Sequence, residues 1–144
     1  MRPSRMRKLA FDTARRTALA LAAALSLAAA AQAADKVKIG FVSTLSGPSS
    51  ALGIDIRDGF LLAVKLGGGK LGGLPAEVLV NDDQFKPDVA KQQFEKLIKR
   101  DKVDFMTGVV FSNIMLASVP EAFASKTFYI SPNAAPSPLA GKDC

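Results

Sequence analysis

Four short apolar runs, each ending in a polar turn and separated by stretches of helical period, restrict this chain to very few folds. The runs are residues 36–43 (KVKIGFVS), 76–80 (AEVLV), 103–110 (VDFMTGVV) and 127–130 (TFYI). After the first, Ile56, Phe60, Ala63, Val64 and Gly67 recur at i, i+4, i+7, i+8 and i+11, one face of a helix. After the second, Ala90, Phe94, Leu97 and Ile98 make a similar stripe behind Pro87, a residue suited to a first helical turn. A third helix begins near Ser112 and is apolar almost all round (Ile114, Met115, Leu116, Ala117, Val119). It is expected to be covered on more than one side, and Pro120 should kink or end it. The order β-α-β-α-β-α-β with short connections predicts an α/β fold: a doubly wound, Rossmann-like parallel sheet, strand order 2-1-3-4, with helices on both faces.

Such a sheet takes its ligands beyond the carboxyl ends of its strands, at the point where the winding reverses, here between the first and third strands. The loops at that edge are residues 43–50, 111–113 and 131–135, three polar loops that each contain serine. Ser46 lies in the first and offers a hydroxyl. Ser112 and Asn113 fall where the first turn of a helix leaves backbone N–H groups unpaired. A carboxylate placed there would meet those donors, the serine hydroxyl and the positive end of the helix dipole. A serine that merely caps its own helix would explain Ser112 equally well. Asn133 either presents its amide to a ligand or makes a turn before Pro136. Phe111 stands at a strand exit, whereas Phe85, Phe123 and Phe128 read as core.

Other features are more ordinary. The acids of Asn81-Asp82-Asp83 lack a third metal ligand and read as solvated or capping carboxylates. The Gly-rich run at residues 67–73 has the spacing of neither nucleotide motif and reads as a connector. Glu95 and Lys99 read as an exposed i,i+4 pair.

The N-terminus stands apart from this pattern. Arg2, Arg5, Arg7, Lys8, Arg15 and Arg16 precede an apolar, Ala-rich run at residues 18–31, and Ala31-Gln32-Ala33 is a small-x-small signal. That is a secretory signal peptide, with cleavage expected after Ala33 and export of the remainder. It also carries the chain's basicity. The full sequence has 19 basic and 13 acidic residues, net +6, but the first 33 residues hold six and one, leaving a net +1. Nothing in the remainder asks for nucleic acid as a partner. There is no histidine, which removes Ser-His catalysis and the commonest zinc ligand. Neither a catalytic residue, a metal nor a cofactor is expected, and Cys144, the single cysteine, forms no disulfide within the chain.

The ordered series KIGFVSTLSGPSSALG, VNDDQFKPDVA, GVVFSN and YISPNAAPSPL resembles the substrate-binding proteins of branched-chain amino-acid-type ABC transporters. The resemblance covers everything after the leader. It implies the N-terminal lobe, residues 34–144, of a two-lobe periplasmic protein that closes on its ligand. It implies further that the captured solute, an amino acid or an aromatic acid, is delivered to an ABC permease in the inner membrane. In that family Ser112 matches the serine that holds the ligand carboxylate, and Asn133, Ala134 and Ala135 match an Ala-Ala-Thr segment at the amino-acid head group. Ala135 removes that hydroxyl, and Leu52 stands where amino-acid binders often carry tyrosine. Phe85 and Phe111 occupy the positions of a disulfide found in some members, so a hydrophobic contact is expected instead. The FSN…SPNA pattern is similar to the subgroup that binds aromatic acids. A ligand-sensing domain of a receptor uses the same fold, and an inactive truncated fragment is a further alternative.

Overall fold

Strand β1 (Val37–Ser43) becomes fully buried from Ile39 onward, as its unbroken apolar run requires of a strand covered on both faces. The computed structural model describes residues 35–133, 135–139 and 141. The expected leader (residues 1–33), Ala134 and Cys144 lie outside the described residues. β1 pairs in parallel with β3 (Leu74–Asp82), from Val37 opposite Ala76 to Ser43 opposite Asp82. On its other side it pairs with β4 (Phe105–Thr107), which in turn pairs in parallel with β5 (Phe128–Ile130). The sheet order is β2-β3-β1-β4-β5. Its four parallel strands take the expected winding, with the switch between β1 and β4.

The addition is β2 (Lys70–Leu71), antiparallel to β3. The Gly-rich run expected to be a plain connector therefore contains an edge strand. Gly72 and Gly73, at φ 56° and 85°, make the two-residue hairpin, which needs positive φ at both positions.

Side chains alternate across the sheet. Gly40, Met106 and Tyr129 share one register row and face α2 (Pro87–Glu95) and α3 (Ser112–Ala124), where Val42, Phe94, Leu97, Met106, Ile114 and Val119 form the main core. The Phe94 and Tyr129 rings lie 6.1 Å apart. Full burial of each such side chain contributes roughly 1.5–3 kcal/mol. Helix α1 (Ser50–Leu66) covers the opposite face, with Phe60 5.5 Å from the Phe41 ring.

Several local expectations change. The third strand stops at Thr107 and not at Val110, because Gly108 at φ 106° turns the chain out of the ladder. Helix α3 runs through Pro120 to Ala124. Pro120 is exposed, so the carbonyl it leaves unpaired lies on the solvent side. Leu116 is 41% exposed, so one side of this helix faces solvent while Ile114, Met115, Ser118, Val119 and Ala122 are buried. On α1 only Gly53 is fully buried; Ile56, Phe60 and Val64 are half-buried, and Ala63 and Gly67 are exposed. Phe128 is 76% and Phe85 44% exposed, so neither belongs to the core, whereas Phe123 packs against it. After Glu95 the chain widens into a π turn (Lys96–Arg100), which swings Lys99 away from the i+4 line. Lys99 pairs instead with Glu121 of α3, at 2.8 Å.

Candidate functional site

The carboxyl ends of β1, β3, β4 and β5 form one rim, and contacts link its loops in series. At one end Asp83 is completely buried. Its Oδ1 accepts the Thr44 hydroxyl at 2.6 Å and the Phe85 amide at 2.8 Å, while its own amide donates to the Ser43 carbonyl at 3.0 Å. Asp82 Oδ1 accepts the Leu45 amide at 2.9 Å and the Gln84 amide at 2.8 Å. Each acid thus ties the β1–α1 loop to the β3–α2 turn. Both acids cap the turn, as one of the two expected readings has it, and burial removes the solvated reading for Asp83. The Asn81 amide donates to the Gln93 side chain and fixes the end of β3 to α2.

The two acids respond oppositely to this setting. For Asp82, burial pushes the carboxyl up, but the Ser46 hydroxyl and the Leu45, Gln84 and Ser46 amides outweigh it and hold it below its usual range. For Asp83, burial dominates. The Thr44 hydroxyl and Phe85 amide oppose it, the Asp82 charge reinforces it, and the carboxyl rests above its usual range.

Gln84 and Phe85 adopt left-handed backbone, φ 55° and 58°, an uncommon conformation for residues with side chains. The Asp82 and Asp83 carboxylates hold both amides there. Phe85 then meets Phe111 edge to face, ring centroids 4.8 Å apart at 82°. The hydrophobic contact implied for this pair is present.

Phe111 is the residue from which α3 starts. Its carbonyl accepts the Met115 amide at 2.9 Å, its backbone is extended, and no side chain caps the helix. Ser112 is therefore the first helical residue and not the cap, which removes the capping explanation for it. Ser112 and Asn113 are exposed, and no acid occupies the first turn. The amides of Ser112, Asn113 and Ile114 precede the first helical hydrogen bond and point to the rim. Helix α1 likewise starts at this rim without a side-chain cap or a first-turn acid. Two positive helix ends therefore flank the switch between β1 and β4.

The remaining expected site residues lie on the same rim in different circumstances. The Asn133 amide donates to the Val110 carbonyl at 2.9 Å, tying the β5 loop to the approach to α3. That donor is engaged within the protein. Ala135 and Ser46 are exposed, and Leu52, 46% exposed, lies in the first turn of α1. Ala134 lies outside the described residues. The sequence reading missed Thr44 as a partner of Asp83 and missed the left-handed Gln84–Phe85 turn. The Asn-Asp-Asp crest after an apolar strand was the signal for both. Among the described residues, no group of three His, Cys, Asp or Glu is placed to hold a metal.

Residues 36–144 match the family model described as periplasmic binding protein. The Leu/Ile/Val-binding protein homolog 6 of Brucella abortus is 30% identical over 129 residues, covering 89% of this chain and 33% of the relative. Among solved structures, a solute-binding protein of an ABC transporter from R. palustris, in complex with benzoate, is 35% identical with a TM-score of 0.65. The match covers 69% of this chain and 28% of that one. The branched-chain amino acid transporter substrate-binding protein LivJ from Streptococcus pneumoniae, in complex with isoleucine, is 28% identical with a TM-score of 0.69, covering 75% and 32%. The chain spans about a third of the length of the curated relatives it matches.

Proposed function

This chain belongs to the periplasmic binding protein family, and we propose that it forms one jaw of a binding protein that captures a small aromatic carboxylate for an ABC importer. The observation that carries this reading is the start of α3. Ser112 and Asn113 stand exposed at the uncapped helix start beside the switch point, with the Ile114 amide behind them and no acid of the first turn to neutralise the helix end. A ligand carboxylate there accepts those N–H groups and the serine hydroxyl together, and charge-assisted bonds of this kind are stronger than neutral ones.

The preference for an aromatic acid over an amino acid rests on what surrounds that point. Ala135 has no hydroxyl to accept from an ammonium group, and Asn133 spends its N–H donor on Val110 and not on a ligand. Phe111 directly precedes Ser112 in the chain, and the half-exposed Phe85 packs against its ring. The benzoate complex among the similar structures agrees with this choice, and the isoleucine complex marks the rival. In this reading the leader directs export with cleavage after Ala33, a second lobe closes over the ligand, and the closed form docks on a membrane permease. The protein acts by binding and not by catalysis.

Calorimetric titration of the chain with benzoate, 4-hydroxybenzoate and leucine tests the reading. The expected result is weak binding that ranks both aromatic acids above leucine. Tighter binding of leucine contradicts the ligand class. Sub-micromolar binding of any of them contradicts the need for a second jaw.

A further inference from the structure

We propose that Phe85 is a positioning residue for the ligand-binding end of α3, acting through Phe111 and held in place by Asp83; the proposal rests on the carboxylate reading above. The two aromatic residues come from different loops. Phe85 lies between β3 and α2, and Phe111 between β4 and α3. Apart from the ring contact, Phe85 is 44% exposed, so burial alone does not account for a large apolar side chain here. Its backbone is set in the left-handed region at φ 58°, and the bond from its amide to the buried Asp83 carboxylate fixes it there. Asp83 is itself anchored to Thr44 and Ser43, at the end of the central strand.

The effect is a brace running from the sheet through Asp83 and Phe85 to Phe111. Phe111 is the last extended residue before α3, and its carbonyl closes the first helical hydrogen bond. A ring locked edge to face fixes the χ angles and the backbone of Phe111, and with them the direction of the next three amides. Those amides must converge on one carboxylate, so a small rotation of the helix end costs binding without unfolding anything. On the other side of the same segment, Asn133 holds the Val110 carbonyl. The chain leading into Ser112 is thereby held from two directions.

The test compares Phe85→Ala, Phe85→Leu and Phe85→Tyr, each alone and combined with Ser112→Ala, by following amide shifts during benzoate titration of the chain. Phe85→Ala is expected to weaken benzoate binding by about three- to tenfold, the size of effect an edge-to-face ring pair supplies. Phe85→Tyr keeps the ring and restores affinity to within about twofold of the parent. In the Ser112→Ala background, Phe85→Ala costs less than it does alone but still weakens binding, because the hydroxyl is gone while the backbone amides it orients remain. The free protein carries a second readout: the Ser112 and Asn113 amide shifts move in Phe85→Ala and return in Phe85→Tyr. Should Phe85→Ala not fold, Phe85→Leu serves in its place, keeping bulk while losing the ring. Unchanged benzoate affinity in a folded Phe85→Ala or Phe85→Leu protein, with Ser112→Ala still weakening it, overturns the positioning role and leaves the site intact. Fully additive losses overturn it as well. If Ser112→Ala itself leaves benzoate binding unchanged, the carboxylate reading falls, and this proposal with it.

Discussion

The Asp83 carboxylate accepts the Thr44 hydroxyl at 2.6 Å, and neither residue exposes any surface to solvent. That bond joins the end of the central strand to the turn carrying Phe85. Thr44→Val keeps the side-chain shape and removes the donor, leaving a buried carboxylate short of a partner. The expected loss is about 2 kcal/mol, the range for a hydrogen bond to a charged group. Urea unfolding with an unchanged m-value would measure it. A loss near zero would mean that Thr44 does not hold the acid.

Acid pH should reveal Asp83 by the sign of its effect. Its carboxyl is pushed above the usual range, chiefly by burial, so the native state keeps the proton more readily than the unfolded chain. The contribution of this group is full below the ordinary aspartate pKa and is lost as pH rises through the raised folded value. Asp83→Asn removes that dependence while its remaining oxygen can still accept from Thr44 and Phe85. The melting temperature of the variant minus that of the parent should therefore climb from acid to neutral pH. A difference that falls over the same span would contradict the assignment.

Two glycines differ in what a methyl group would strike. A Cβ on Gly53 would sit 2.0 Å from the Thr44 carbonyl oxygen, which is backbone and cannot move alone. On Gly40 it would sit 2.3 Å from the Met106 sulfur, in a side chain that can turn aside. Gly53→Ala is expected to cost roughly 3 kcal/mol and Gly40→Ala roughly 1 kcal/mol. Equal losses in denaturant titration would mean that α1 lifts freely from β1.

Large aromatic residues should also separate by face. Phe94 is fully buried between α2 and the sheet, whereas Phe128 is 76% exposed on the α1 side of β5. Phe94→Ala should cost about 4 kcal/mol. Phe128→Ser should change stability by only about 0.5 kcal/mol. Calorimetric unfolding of the two variants checks the contrast.

The alternation of strands and helices was plain in the sequence because apolar runs and helical stripes are local patterns, and the parallel order followed from them. Details set by distant partners were not. Gly108 ends β4 early because its backbone passes close to the Val42 carbonyl, a contact between strands that no window of sequence contains. Lys99 reaches Glu121 because a π turn shifts it, and the apolar content of α1 gave no sign that Leu62 and Leu66 would remain exposed. At the rim, the serine at the helix start is legible by residue type, whereas the Phe85–Phe111 contact is implied only by the family resemblance and Phe85 by itself reads as core. The engagement of Asn133 with Val110 and the burial of Asp83 depend on loops from different strands and needed the fold.

In the proposed function, the exposed start of α3 receives the ligand carboxylate. Mapping amide shifts across the chain during benzoate titration measures this directly. The largest shifts are expected at Ser112, Asn113 and Ile114, reduced by Ser112→Ala. Largest shifts at residues away from this rim, or a map unaltered by Ser112→Ala, would contradict it.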